Sequence, residues 1–407
     1  MSLEELGTVC DLQNGYAFRS QDYIENSGTV SLRMSNIRPG GTFDNGYNLR
    51  YLPDSFQEKF SNYIINDGDL VIAMTDLAND PKILGIPTIV ETGGITWLLN
   101  QRAGKLVVKD SSKADKNYLR YILNHPIHRN YYKMFAGGGL QINIGKKEIL
   151  GVKIPLPPLA TQQRIAKILD DAAALRDKTA QLLKEYDALA QSIFLEMFGD
   201  PYHNPKGFEI VNINYFIEKL ESGKSVNSTN DNYIKGETGI LKTSCVYNGV
   251  FDIREAKVIR ENEIDKAKLN PKKDSIIISR MNTEELVGKS AYVDKDYNHL
   301  FLPDRLWQSV KSDVDHSVLW LSNAISQHSF MKSISRVATG TSGSMKNISQ
   351  KKFLGLKIIN PPIDLQNQFA DKIALIEQQK ELAKQELKES EDLFNCLLQK
   401  AFKGEIQ

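Results

Sequence analysis

Histidine and cysteine are the residues best suited to metal or nucleophilic chemistry, and this chain spaces them poorly for either. His125 and His128 stand three residues apart on a predicted helix, but no carboxylate or third ligand accompanies them, so packing roles are expected. Cys10, Cys245 and Cys396 are far apart and odd in number. They read as free thiols in a reducing cytoplasm, not as a disulfide framework or a zinc site. Each is expected to be a small buried hydrophobe. The sequence holds no GxGxxG after a strand, no GxxxxGK[ST], no HExxH and no CxxC. Cofactor and metal chemistry are therefore not expected of the chain itself.

One tetrapeptide invites an enzymatic reading. Asn360-Pro361-Pro362-Ile363 resembles the Asn/Asp-Pro-Pro-aromatic motif of amino-methyltransferases, in which the aromatic ring stacks on the target base. Ile363 has no ring to stack. A second proline pair reads Leu156-Pro157-Pro158-Leu159, without an asparagine. The glycines after Phe135 are not followed by the strand and acidic residue of a cofactor site. A better account is that each proline pair is a helix-entry device, since proline disfavours helix at the residue before it.

The prolines belong to a repeat. "NIGKKEILGVKIPLPP" (143–158) aligns with "NISQKKFLGLKIINPP" (347–362) at an offset of 204 residues, and Gln162 aligns with Gln366. A glycine-rich loop precedes each copy, "FAGGGLQ" (135–141) and "VATGTSGS" (337–344). Fainter parallels lie upstream: "GDLVIAM" (68–74) with "KDSIIIS" (273–279), and "SLRMSNI" (31–37) with "ILKTSCV" (240–246). The chain is a tandem duplication. Each half is a domain of about 160 residues followed by a helix of about 40.

Short runs rich in Val, Ile and Tyr, broken by Gly, Asn, Asp and Pro, read as strands in both domains. A helical stretch closes each, "NYLRYILNHPIHRNYYKMF" and "SVLWLSNAISQHSFMKSIS". The long helices carry apolar residues at alternating spacings of three and four, a heptad seam. In the first the expected seam is Ile165, Ile168, Leu175, Leu182, Tyr186, Leu189 and Ile193, with Ala172 and Thr179 between them. In the second it is Phe369, Ile373, Ile376, Leu387, Phe394 and Leu397, with polar Lys380 and Ser390 in line. Two seams of equal length most simply pack on each other. Gly199 and Gly404 stand where each helix should stop. The expected fold is α+β: two globular domains in tandem (1–158 and 200–362), each followed by a long helix (159–199 and 363–407), the helices pairing as an antiparallel coiled coil.

The 407 residues are 41% hydrophobic and 25% charged, with a net charge of +1. That composition is ordinary for soluble domains and too balanced to demand nucleic acid. The charge is unevenly spread: the two helical segments are slightly acidic and the two larger ones slightly basic. The sequence has no run of eighteen apolar residues and opens without a basic, apolar leader, so neither a membrane span nor a secretion signal is expected.

"GKKEILGVKIPLPPLATQQRIAKILD" (145–170) and "SQKKFLGLKIINPPIDLQNQFADKI" (349–373), with "GDLVIAM", "DSIIISR" and "LLNQRAGKLVV" in support, resemble the DNA specificity (S) subunits of type I restriction-modification systems. The resemblance covers essentially the whole chain. It departs at the second helix entry, where Asn360, Ile363 and Asp364-Leu365 replace Leu156, Leu159 and Ala160-Thr161; Asp364 suits an N-cap. It implies a chain without catalytic activity. Two target recognition domains would each read half of a split, asymmetric site on double-stranded DNA, with the helices as spacer. Modification (M) subunits, two of them, would dock on the helices and bring S-adenosylmethionine. Restriction (R) subunits would bring ATP and Mg.

Under that resemblance, base edges call for Arg, Lys, Asn, Gln and Ser, and phosphates for Lys, Ser and glycine amides. In the first domain the candidates are Arg33, Ser35, Asn36 and Arg38, then Gln141, Asn143, Lys146 and Lys147 after the glycine loop. In the second they are Lys242, Ser244 and Arg280, then Thr339, Thr341, Ser342, Ser344, Lys346 and Asn347. Two other readings compete. A methyltransferase or nuclease fragment would need a cofactor motif that is absent from the sequence. A coiled-coil scaffold that assembles proteins would need no DNA.

Overall fold

The computed structural model describes residues 3–135, 140–234, 236–340 and 345–406. It divides into two compact units, residues 1–181 with 384–407, and residues 182–383. The units cut across the expected segments because each long helix contributes to both.

In the first unit a four-stranded antiparallel sheet runs Cys10–Asn14, Ala103–Val108, Leu70–Ala73, Pro87–Ile89. A second sheet centres on Thr29–Leu32 and Thr96–Leu99, which lie parallel, flanked by Tyr51–Leu52 and Ile64–Ile65. Two ribbons complete it: Leu3–Glu5 with Lys153–Pro155, and Thr75–Leu77 with Gln141–Asn143. The second unit repeats this plan. Its sheet runs Ile217–Ser222, Leu306–Lys311, Ser275–Ser279, Ser290–Val293. Gly239–Leu241 and Leu300–Phe301 form the parallel pair. Its ribbons are Glu209–Asn212 with Lys357–Asn360, and Met281–Asn282 with Lys346–Asn347.

The apolar run at Leu70–Ala73 is continuous because both faces of the strand are covered. Alternation sends Leu70 and Ile72 into one core, Val71 and Ala73 into another. Ile276 and Ile278 part from Ile277 in the same way. The structure shifts the expected alignment here by one residue. The left-handed turn before the strand is Gly68 (φ 75°) in one unit and Asp274 (φ 56°) in the other, so Met74 corresponds to Arg280. Each helical stretch expected as one piece is two helices. Lys116–Leu123 ends before Pro126–Lys133, which His125 caps and Pro126 opens. Val318–Ser326 ends before His328–Val337.

The long helices span Leu159–Phe198 and Ile363–Lys403, directly after the two proline pairs, and Gly199 and Gly404 follow their ends. Asp364 lies inside the first turn, where it complements the helix dipole; Pro362 holds the cap position. Each helix start is fixed by a buried glutamine. Gln162 Oε1 accepts the Asp115 N–H (2.9 Å), and its Nε2 donates to the carbonyls of Pro157 (2.7 Å) and Lys113 (2.8 Å). Gln366 Oε1 accepts the Ser317 N–H (3.0 Å), and its Nε2 donates to the Pro361 carbonyl (2.9 Å). Asp115 and Ser317 are themselves N-caps of domain helices.

In each unit stretches of the two long helices pack antiparallel. In the second, Phe194 meets Phe369 (ring centroids 5.4 Å apart) and Asp187 meets Lys380 (2.8 Å). In the first, Arg176 lies over the Phe394 ring (5.2 Å), and Ile165 and Leu169 share a core with Leu398 and Ala401. Along the second helix Phe369, Ile373, Ile376, Lys380, Ala383 and Ser390 are buried, while Leu387, Phe394 and Leu397 are half-buried. The first helix differs from expectation. Ile165 is buried, and Ile168, Leu182, Tyr186 and Ile193 are half-buried, but Leu175 and Leu189 are 43% and 45% exposed. Leu169 and Ala190 pack inward instead. Ala172 and Thr179 are buried with Ile165, so one row of the expected seam holds; the other row is displaced by one residue, from Ile168 and Leu189 to Leu169 and Ala190. Among the described residues no helix is long and apolar enough to cross a membrane.

His125 and His128 are packing groups. His128 is 1% exposed, with its ring nitrogens on the carbonyls of Ile122 (2.7 Å) and Lys153 (3.0 Å), and His125 stacks on Phe402 (4.4 Å). In the second unit His316 is also buried, on the Val314 carbonyl (2.9 Å). Burial lowers the pKa of all three; the neighbouring His128 lowers that of His125 further, and the carbonyls only partly offset burial at His128 and His316.

Two predictions follow from these contacts. Gln162→Ala or Gln366→Ala strands buried backbone groups and should each cost about 1–3 kcal/mol, read as a lower unfolding midpoint in urea. An unchanged midpoint would mean that water replaces the amide. A histidine whose folded pKa is below its unfolded one binds its proton more readily when unfolded, so stability falls with pH. The urea midpoint should therefore drop as pH falls below about 6.5, and His128→Asn should lessen that drop; a flat profile would contradict it.

Candidate nucleic-acid interface

In each unit the same chain segments end at one edge of the sheets. In the first, the Asn100 N–H donates to the Leu32 carbonyl (3.0 Å), the Gln101 N–H to Tyr16 (2.9 Å), the Met74 N–H to Arg102 (2.9 Å) and the Ile144 N–H to Met74 (2.9 Å). In the second, the Lys224 N–H donates to Leu302 (3.0 Å), the Arg280 N–H to Arg305 (3.1 Å) and the Ile348 N–H to Arg280 (3.0 Å). A glycine permits the closest approach in both. A Cβ on Gly15 would lie 2.3 Å from the Asn100 carbonyl, and one on Gly223 1.7 Å from that of Leu302. Most sequence candidates lie on the loops of this edge or just beside it.

In the first domain Arg33 follows the strand Thr29–Leu32, and its N–H donates to Asn36 Oδ1 (3.0 Å). Asn36 is 1% exposed and also donates to the carbonyls of Asp44 and Tyr47 (3.2 Å each). This corrects its assignment as a reader: it holds the turn and has no surface left for a base. Ser35 Oγ and Arg33 Nη1 are buried atoms without a partner among the described residues. The Arg38 guanidinium lies over Tyr47 (4.2 Å) and 3.9 Å from Asp44. Gln141 and Asn143 are exposed on the ribbon, and Asn143 Oδ1 accepts the Thr75 hydroxyl (2.6 Å). Lys146 pairs with Asp11 (2.6 Å), and that hydrogen bond lowers the Asp11 pKa. Lys147 is exposed.

In the second domain Glu255 holds two candidates. It accepts the Ser244 hydroxyl (2.5 Å) and pairs with Lys242 (3.4 Å), contacts that lower its pKa although partial burial opposes them. Lys346 pairs with Glu284 (2.9 Å) and is 16% exposed. Thr339 pairs with Asn347 through two backbone hydrogen bonds (2.8 Å), and Asn347 Oδ1 is buried without a partner among the described residues. Arg280 is half-buried, and its Nε likewise has no partner. Thr341, Ser342 and Ser344 lie outside the described residues.

Two arginines escaped the sequence reading. Arg102 directly precedes the strand Ala103–Val108, and Arg305 directly precedes Leu306–Lys311. An arginine immediately before the same strand in both halves was a usable signal, hidden because only Val107 and Val310 accompany it as a match along the strand. Among the described residues the Arg102 and Arg305 guanidinium groups have no hydrogen bond or ion pair, so this edge carries unengaged donors beside polar loop side chains.

Comparison with known proteins agrees with the duplication. The family model "Type I restriction modification DNA specificity domain" matches residues 2–185 and again 205–391. The MjaVIII specificity subunit of Methanocaldococcus jannaschii is 28% identical over 185 residues, 44% of this chain and 42% of that protein. That alignment thus spans less than half of the relative. The EcoKI specificity subunit of Escherichia coli is 22% identical over 435 residues, covering 98% of this chain and 88% of that protein. The crystal structure of the type I S subunit from M. genitalium superposes with a TM-score of 0.59 at 13% identity, covering 98% of this chain and 96% of that one. The fold is shared across the whole length. With both halves matched by the same model, the chain belongs to the family of type I restriction-modification DNA specificity proteins and carries the family's domain twice.

Proposed function

We propose that this chain is the non-catalytic DNA-reading subunit of a type I restriction-modification assembly, acting in the cytoplasm. Each recognition domain reads one half of a split, asymmetric duplex site through the loop edge described above. One observation carries this reading: a single scaffold occurs twice, and its strand-end edge presents different side chains in the two domains. Identical edges would suit a repeated or palindromic target. The S-adenosylmethionine, ATP and Mg of such a system belong to the M and R subunits.

The long helices receive the M subunits, two per chain. Large apolar side chains on their outer faces support this, with Leu375 63% and Leu382 56% exposed in the second unit, and Leu175 43% and Leu393 48% in the first. Leucines repeatedly exposed on a helix whose seam is already filled mark a covered surface.

Selection from a random duplex library, with the chain purified together with its M subunits, tests the reading. Two unrelated half-sites at a fixed gap should be enriched, and exchange of residues 200–362 for another recognition domain should change only one of them. A single continuous motif, or none, would favour a scaffold that does not read DNA. The docking assignment has its own check. Leu375→Glu with Leu382→Glu should leave the helical circular dichroism unchanged and abolish co-purification with M subunits; retained assembly would refute it.

A further inference from the structure

Because one scaffold occurs twice, equivalent positions separate what both domains need from what each needs alone. Arg102 and Arg305 are equivalent. Each directly precedes the same strand, and each carbonyl accepts the N–H of the residue that ends the central strand, Met74 at 2.9 Å and Arg280 at 3.1 Å. Among the described residues neither guanidinium has a hydrogen bond or an ion pair, whereas Lys242 and Lys346 on the same edge are paired with Glu255 and Glu284. At the neighbouring position the equivalence breaks. Met74 is 8% exposed and packs into the core. Arg280 keeps the same backbone bonds but is half-buried, with Nε unpartnered.

A contact required by any duplex falls on phosphate, and one that distinguishes half-sites falls on base edges. We propose that Arg102 and Arg305 are equivalent phosphate anchors, and that Arg280 reads a guanine in the half-site of the second domain. A guanidinium presents paired donors to guanine O6 and N7 in the major groove. The first domain has no counterpart, because Met74 carries no donor. This assignment rests on the DNA-reading function proposed above.

The test uses the full chain with its M subunits. Library selection first defines the wild-type motif, and titrations then use that duplex, duplexes altered one base pair at a time, and several salt concentrations. Arg102→Gln and Arg305→Gln should each weaken binding about tenfold on every duplex, leave the selected motif unchanged and reduce the slope of log affinity against log salt by about 1. Arg280→Met should reduce the preference for one guanine of the second half-site about tenfold and leave the first half-site unaltered. Arg280→Lys keeps the charge without the fork, and should also lose most of that preference. A motif change in Arg102→Gln or Arg305→Gln would overturn the anchor assignment. Equal weakening of Arg280→Met on all duplexes would overturn the reader assignment. If the wild-type assembly selects no split motif, the function itself falls; a wild-type motif with unresponsive variants sinks this inference alone.

Discussion

The buried carboxamides of Gln162 and Gln366 are the contacts on which the placement of the long helices depends. A glutamine amide carries two donors and an acceptor, and burial without partners would cost a few kcal/mol, so its geometry is tightly constrained. Here each acceptor takes a backbone N–H from the N-cap residue of a domain helix, and a donor returns to the first carbonyl of the proline pair five residues back. The prolines keep the preceding chain extended and the amide ties the first helical turn to the domain. Neither alone would fix the direction in which about 40 residues of helix leave the domain. The same arrangement at an offset of 204 residues gives both halves one exit.

Polar residues recur in the helix seam as well. Lys380 is 8% exposed between Asp187 (2.8 Å) and Glu377 (2.7 Å). Burial pulls its pKa down, but the two carboxylates more than offset this, and the net shift is upward. Its contribution is therefore fully present below the ordinary lysine pKa and is lost only in strong base. Arg176, 204 residues earlier in the first helix, bonds to its neighbour Asp177 (2.7 Å) and covers Phe394. A cation in an otherwise apolar seam adds little stability but penalises pairings that leave it unmatched.

The repeat, the helix entries and the stops were legible because they depend on residues with narrow conformational roles. Proline pairs, glycine after a helix and a glutamine at fixed spacing allow few alternatives. Strand positions were legible as apolar runs, but their register was not: 31–37 parallels 240–246 at an offset of 209, while Met74 is equivalent to Arg280 at 206. Loops of different length absorb the drift, and only backbone hydrogen bonds reveal it. In the first long helix the row Ile165, Ala172 and Thr179 was legible, but Leu175 and Leu189 drew the second row one residue away from the line of Leu169 and Ala190, because alternating three-four spacing admits either neighbour. At the candidate site, residue type alone did not separate a binding cation from a neutralised one. Lys242 and Arg305 look alike in sequence, but Glu255 holds only the first.

Under the proposed function, that distinction lets a chain with a net charge of +1 present a DNA-binding edge. Affinity for phosphate depends on cations that are free where the backbone passes, and a cation already paired must surrender its partner before it gains another. Surface carboxylates pair with Lys146, Lys242 and Lys346, while Arg102 and Arg305 have no such partner among the described residues. The loops that display them are held by groups that never reach the surface. Asn36 ties its turn to three backbone groups, and the buried Thr75 hydroxyl secures Asn143. The frame therefore depends on buried polar contacts, and in the proposed function the reading falls to the exposed ends. A side chain such as Arg280 can differ from its counterpart without disturbing the sheets, which is the physical condition for one scaffold to acquire two specificities within a single chain.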